Sequence, residues 1–307
     1  MYIMYLIKFC GAPVYCSVYV HSDSSLAPPA PRAGDLACKS KVIAVYDPVG
    51  LLSPVTVKLK IFLQELHCLK IGWDEQISGS MRKKWTDIVN SIKDSESIFI
   101  NRHYFRDTRS EKAEVKLCGF CNASTRAYVA VIYMLCITDD GQRRMAFVTS
   151  KTHVSPLKEH SIPRLELLAA LLLVRLMKSV NVALRDDIEL SNPVCYTDSL
   201  VVLYWIRGVG RSWKPFVENR VREIRSLVPF VCWKHCPGEM NPADISSRGL
   251  TMEELKNDNM WLRGPRWLIE REGLNEVDLG IPEECVSELK ADERRECGLL
   301  AENNVIA

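Results

Sequence analysis

Hydrophobic positions change their period along the chain, and the changes mark the elements. From residue 115 three apolar runs follow one another: VKLCGF (115–120), AYVAVIYMLC (127–136) and RMAFVTS (144–150). Each is rich in branched and aromatic residues and bounded by polar segments, so each predicts a strand. Thr138, Asp139, Asp140 and Gly141 supply turn chemistry for a hairpin between the last two. A long apolar stretch from Pro163 predicts a helix, with proline well placed in its first turn. A short strand (193–198), helices near 199–207 and 214–227, a strand over FVCWKH (230–235) and a helix from about 242 complete the pattern. Three strands, a helix, a strand, helices, a strand and a helix make a mixed α/β layout.

Upstream, DPVGLLSP (47–54) is turn chemistry, and residues 55–72 and 81–92 carry apolar positions at helical spacing. Nothing there looks catalytic; Asp74 and Glu75 read as a solvated turn or a helix cap. Residues 1–20 are apolar but interrupted by Lys8, Gly11 and Pro13. A secretory signal has a basic start and an unbroken apolar core, so a buried strand pair or an unrelated leader fits better. Residues 21–40 are rich in Ser, Pro and Ala and read as a linker. Past Leu250 the chain is marked by Trp, then turns acidic, and is expected to fray after about 282. The expected division is a poorly ordered leader and linker (1–40), a mainly helical segment (41–110), the α/β domain (111–250) and a C-terminal extension (251–307).

Composition narrows the class. Of 307 residues, 47% are hydrophobic and 25% charged, with Lys+Arg 40 against Asp+Glu 38 and a net charge of +2. That excludes a wholly disordered chain, and 15 Gly and 15 Pro exclude a collagen-like one. Near-neutral charge makes any nucleic-acid surface local. No uninterrupted apolar run reaches the roughly 18 residues of a membrane span, so no membrane partner is expected. The 12 cysteines are scattered, several within apolar runs. Buried free thiols in a reducing, intracellular compartment explain them best. A zinc site from Cys118 and Cys121 with Cys232, His235 and Cys236 is the weaker alternative.

Three carboxylates stand out. At 100° per residue, Glu166 lies almost opposite Arg164, Arg175 and Lys178, among Ala169, Ala170, Leu173 and Met177. A carboxylate on that buried side costs several kcal/mol (on the order of 3–5) unless paired or metal-bound, so it is a buried Arg–Glu pair, a metal ligand or an acid/base group. Asp198 ends a short apolar strand just before a helix, where α/β sheets place ligands; helix capping is its competing role. Asp244 follows Pro242 and Ala243 early in a helix, where dipole chemistry alone can explain it. Together the three would need cations, and magnesium suits an all-carboxylate site.

Several stretches carry a wider resemblance. YDPVGLLSPVTVKLKIFLQELH (46–67), GFCNASTRAYVAVIY (119–133), SKTHVSPLKEHSIPRLELLAALLLVRL (150–176), YTDSLVVLYWI (196–206), WKPFVENRVREI (213–224) and HCPGEMNPADISSRG (235–249) resemble the polymerase polyprotein of BEL/Pao-type retrotransposons, over residues 40–268. The resemblance implies an RNase H-like domain preceded by the tail that follows a reverse-transcriptase palm. It implies cleavage of RNA in RNA–DNA hybrids by four acidic residues and two Mg (or Mn) ions. It places the second, third and fourth acids at Glu166, Asp198 and Asp244, and the first at Asn122, where the family has Asp. Loss of that charge implies weakened metal binding and hydrolysis lowered by orders of magnitude, leaving a nucleic-acid-binding module or an inert remnant as the alternative. No polymerase Tyr-x-Asp-Asp motif is present. The Pao block also carries a peptidase label, but no Asp-Thr-Gly or Asp-Ser-Gly triplet occurs.

Residues 205–225 interleave six Arg/Lys and two Glu with Trp205, Trp213 and Phe216. This suits either a backbone-tracking surface with stacking platforms or an amphipathic helix with a buried aromatic side. The resemblance favours the first. The expected contacts to an RNA–DNA hybrid are Lys151, Arg207, Arg211, Trp213, Lys214, Arg220 and Arg248. His235 is either an aid to product release or a satisfied loop histidine.

Overall fold

The computed structural model describes residues 14–20, 43–71, 75–93, 98–100, 113–208, 211–270 and 282–290. Most of the expected leader and linker, Asp74 and residues 291–307 lie outside them. In the N-terminal part, β1 (Val14–Val20) pairs antiparallel with β2 (Ile43–Tyr46) and β3 (Ile98–Ile100). Helices α1 (Ser53–Cys68) and α2 (Gly79–Lys93) lie between β2 and β3 in sequence.

The main sheet holds β4 (Glu114–Ala123), β5 (Ala127–Ile137), β6 (Arg143–Val154), β7 (Leu190–Thr197) and β8 (Trp233–His235), in the order β6-β5-β4-β7-β8. β4, β5 and β6 form an antiparallel meander, with the expected turn closed by Gly141 N–H donating to the Thr138 carbonyl at 2.8 Å. β7 runs parallel to β4, and β8 parallel to β7. The expected strand at 230–235 is shorter: Phe230–Cys232 is a 3₁₀ turn, and only Trp233–His235 pair.

Helix α3 (Ile162–Leu184) follows β6. By length and composition it could cross a membrane, but most of that apolar surface is buried within the protein. It lies close on β4 because Gly119 has no side chain: a Cβ there would come within 2.6 Å of Leu173 and 2.7 Å of Met177. Helices α4 (Leu200–Arg207) and α5 (Pro215–Leu227) share this core.

The other face of the sheet explains why the strands are apolar almost continuously rather than alternately. Phe120, Val131, Tyr133 and Phe147 pack there against Leu51, Leu52 and Val55 around the start of α1, and against Trp261, Trp267 and Leu268. The last three belong to short helices that follow α6 (Pro242–Arg248) and α7 (Met252–Asn257), namely α8 (Asn259–Arg263) and α9 (Arg266–Glu270). Trp261 Nε1 donates to the Leu51 carbonyl at 2.8 Å, tying the two coverings together. The core therefore crosses the boundaries expected near 110 and 250.

One expectation is corrected. The chain does not fray directly after 282: Pro282–Lys290, with α10 (Glu283–Val286), docks with Cys285 and Leu289 buried. These apolar residues outweigh the acidic composition that suggested a solvated tail.

Candidate functional site

The parallel pairing of β4 and β7 ends at Cys121 and Thr197, so the next residues, Asn122 and Asp198, lie side by side at the strand ends. α6 is fastened to this edge by Asn241. Its Nδ2 donates to the Cys121 carbonyl at 3.0 Å, and its Oδ1 caps the helix by accepting from Ala243 N–H at 3.0 Å. That delivers Asp244 to Asn122. The seating of α3 on Gly119 brings Glu166, in its first turns, to the same end, close enough for the charge of Asp198 to act on it.

The local structure resolves the competing roles. Asp198 does not cap α4; the Ser199 hydroxyl does, accepting from Val202 N–H at 3.2 Å. The Asp198 carboxylate is thus left free of capping, and its Oδ1 is buried without a hydrogen-bond partner among the described residues. Glu166 is not the acid of a buried Arg–Glu pair: Arg164 engages Glu288 and Arg175 engages Glu223. Asp244 is in the first turn of α6, as dipole chemistry would have it, but its oxygens also receive Asn122 and Arg248.

Burial pushes the Glu166 carboxyl up to about 7, helped by the charges of Asp198 and Glu284 and opposed by a hydrogen bond from Ser199. Burial pushes Asp198 up to about 6; the Asp244 charge adds to this and Arg248 opposes it. Both acids are thus held above the ordinary carboxylate range and one has an orphaned oxygen, so a cation placed beside them would lower the cost of ionising them.

The other half of the site is different. Asn122 is 4% exposed. Its Nδ2 donates to Asp244 Oδ1 at 2.8 Å and approaches the Ser247 hydroxyl at 3.3 Å, while its Oδ1 accepts from Ala123 N–H at 2.7 Å. The network fixes the amide orientation, because a backbone N–H needs the oxygen and a carboxylate needs the N–H. Arg248 adds a second donor to Asp244, Nε to Oδ1 at 3.0 Å. Among the described residues no group of three or more His, Cys, Asp or Glu is arranged to hold a metal ion. Glu166 and the orphaned Asp198 oxygen are donors of the kind a divalent cation takes, whereas Asp244 is already occupied by the Asn122 amide and the Arg248 guanidinium.

A protein-family model described as a Pao retrotransposon-like RNaseH-like domain matches residues 37–199, just over half of the chain. The chain belongs to this family. Its five-stranded mixed sheet with flanking helices is accordingly RNase H-like. No curated protein matches the chain. RNase H1 of the halophilic archaeon Halobacterium salinarum NRC-1 is 14% identical, over 47% of this chain and 99% of its own, with a TM-score of 0.28. The N-terminal RNase H domain of a Mycobacterium tuberculosis protein is 10% identical, over 45% and 98%, also with a TM-score of 0.28. A foamy viral protease–reverse transcriptase, solved with double-stranded DNA, is 12% identical over 72% and 42%, with a TM-score of 0.23.

Within this Pao-type RNase H-like domain, the expected nucleic-acid contacts scatter. Lys151 and Lys214 are exposed, and Arg207 is half-buried at the end of α4. Arg211 is half-buried and already engaged. Arg220 lies over the Phe216 ring, 3.6 Å from its centroid, and Arg248 is exposed beside Asp244. Trp213 is a correction: at 1% exposure, edge-on to Tyr204 and Trp205, it is core and offers no face to a base. The zinc alternative is corrected too. Cys118 and Cys121 are three apart on one strand and face opposite cores, so they cannot share an ion. His235 Nε2 rests 3.2 Å from the Asp198 backbone carbonyl, which suits a satisfied histidine. Sequence reasoning missed Ser199, whose place directly after Asp198 at a helix start was the available signal. It also missed the partner of Arg164, Glu288, for which the sequence holds none.

Proposed function

We propose that this domain binds RNA–DNA hybrid at the β4–β7 strand ends and that its cleavage activity is lost or lowered by orders of magnitude. The observation that carries the reading is the Asn122–Asp244 hydrogen bond. It puts the positive end of an amide where the family resemblance expects a carboxylate. Glu166 and Asp198 would hold a divalent cation, Mg or Mn, and Asp244 would complete the set only if released from Asn122 and Arg248. Such an ion, when bound, would supply charge to activate water and to steady a departing oxygen.

The residues of the chain act around it. Ser199 orients Glu166 through its hydroxyl, and the backbone at Asp198 is steadied by His235. Exposed Lys151, Lys214 and Arg248 would meet backbone phosphates, which position a duplex without reading its sequence. The helical segment 41–110 is read as a former reverse-transcriptase tail, and residues 111–250 as the catalytic unit of the ancestral polyprotein. The peptidase label has no residues here to support it.

The test is cleavage of a labelled RNA–DNA hybrid in magnesium by wild type and by Asn122→Asp in parallel, with hybrid binding measured for both. Binding by both with cleavage by the variant alone is the expected result. Failure of both proteins to bind, though folded, would remove the nucleic-acid reading.

A further inference from the structure

Glu288 is the one charged residue among the described residues that is buried, at 7% exposure. A carboxylate so placed is strongly unfavourable unless a cation meets it with good geometry. Arg164 does so with both prongs: Nε donates to Oε1 at 2.8 Å and a terminal nitrogen to Oε2 at 3.1 Å.

Arg164 is itself part of a cationic cluster. Its guanidinium lies 4.7 Å from the centroid of the Phe216 ring, and Arg220 lies 3.6 Å from the same centroid. His160 leans on the ring at 5.2 Å between centroids. Arg220 donates a terminal nitrogen to the Phe216 carbonyl at 2.8 Å, but its Nε is buried without a hydrogen-bond partner among the described residues, and so is His160 Nδ1. Glu288 is the acid that Arg164 engages there.

The segment carrying Glu288 is fastened by contacts along its length. Lys214 N–H donates to the Glu288 carbonyl at 2.7 Å, and Lys290 N–H to the Ser212 carbonyl at 3.1 Å. Leu289 bridges Trp213 in antiparallel fashion. Cys285 is buried, its Sγ 3.8 Å from the Val201 carbonyl. At the other end of the segment, the charge of Glu284 reaches Glu166. An acidic strap thus runs from the carboxylate site to the cationic cluster.

The arginine fork accepts a carboxylate and a phosphate in the same way. We propose that Pro282–Lys290 is a built-in anionic strap that competes with a nucleic-acid backbone for Arg164 and the cluster around Phe216. The proposal rests on the hybrid-binding reading above and adds its regulation. While the strap is seated, Glu288 fills the phosphate position and Glu284 repels a polyanion from Glu166. A bound backbone displaces the strap and uncovers Cys285.

The experiment uses the full chain, wild type and Glu288→Gln, with folding checked by circular dichroism. Hybrid affinity is measured by fluorescence anisotropy, and the alkylation rate of Cys285 by mass spectrometry of its peptide. The variant is expected to bind hybrid about 3–10-fold more tightly. Cys285 is expected to alkylate several-fold faster in the variant, and faster in wild type when hybrid is added. Glu284→Gln, which leaves the buried ion pair intact, is expected to tighten binding by a smaller factor. If hybrid binds wild type without changing Cys285 alkylation, and Glu288→Gln binds no more tightly, the strap is structural and the proposal falls alone. If no protein binds hybrid, even where Cys285 has become reactive, the nucleic-acid reading falls and takes the proposal with it.

Discussion

The Asn122 amide donates to Asp244 Oδ1 at 2.8 Å, joining the end of β4 to the first turn of α6. An aspartate in the same place would set two carboxylates against each other at hydrogen-bonding distance. Asn122→Asp should therefore lose a charge-assisted hydrogen bond of about 1.5–3 kcal/mol and gain a repulsion. The expected outcome is a lower melting temperature in EDTA at pH 8, recovered in large part by millimolar magnesium. Wild type, whose Asp244 already has donors, should shift much less. Equal melting of both proteins in EDTA would show that the bond contributes nothing.

Glu166 and Asp198 set the pH dependence. Both have folded-state pKa values raised above their ordinary ones, to about 7 and about 6. The folded protein holds protons there that the unfolded chain has given up, so the associated stability is present at acid pH and lost as pH rises through about 6 to 7. Without divalent cation, stability should fall between roughly pH 4 and 7, with Glu166 contributing no more than about 3 kcal/mol. Glu166→Gln should flatten that slope in thermal melts followed from pH 4.5 to 8. An unchanged slope would place the titration elsewhere.

Part of this arrangement was legible in the sequence, for physical reasons that differ by element. The strands were readable because β4 and β5 are buried on both faces and so are continuously apolar. What covers their second face was not, because helical spacing around residues 55–72 shows that a helix has an apolar side without showing what that side meets. Glu166 announced itself as a carboxylate among alanines and leucines. Asp198 did not, since a strand-end Asp before a helix is equally a cap; only the position of Ser199 decides between them. Trp213 misled because an aromatic beside arginines has the same spacing whether it points to solvent or to the core. Asn122 carried no signal of its own and depended on the resemblance.

Trp213 and Lys214 separate packing from binding. Trp213→Ala should lower stability by about 3–5 kcal/mol, the cost of emptying a large core site. Lys214 is exposed, so Lys214→Ala should leave the melting temperature nearly unchanged. It should weaken hybrid binding and reduce the slope of log affinity against log salt by about one contact. Loss of hybrid affinity in a stably folded Trp213→Ala protein, with no change for Lys214→Ala, would restore the stacking role that burial denies to Trp213.

Gly50 tests whether the helical segment is integral to the sheet. Its φ is +79°, a conformation glycine adopts without cost, and a Cβ would stand 2.1 Å from the Ser150 carbonyl oxygen on β6. The approach is held by Ser150 N–H donating to the Val49 carbonyl at 2.8 Å and by the Ser150 hydroxyl, which meets the Gly50 carbonyl at 2.5 Å and the Ser53 hydroxyl at 2.7 Å. Gly50→Ala cannot relieve the clash by turning a side chain, because the obstacle is backbone. It must push the start of α1 off β6 and open the core at Leu51, Leu52 and Trp261. The expected result is a loss of about 3 kcal/mol or more and one cooperative melting transition for the whole domain. A separate early transition, with the sheet melting as in wild type, would mean that α1 is an independent unit resting on the domain.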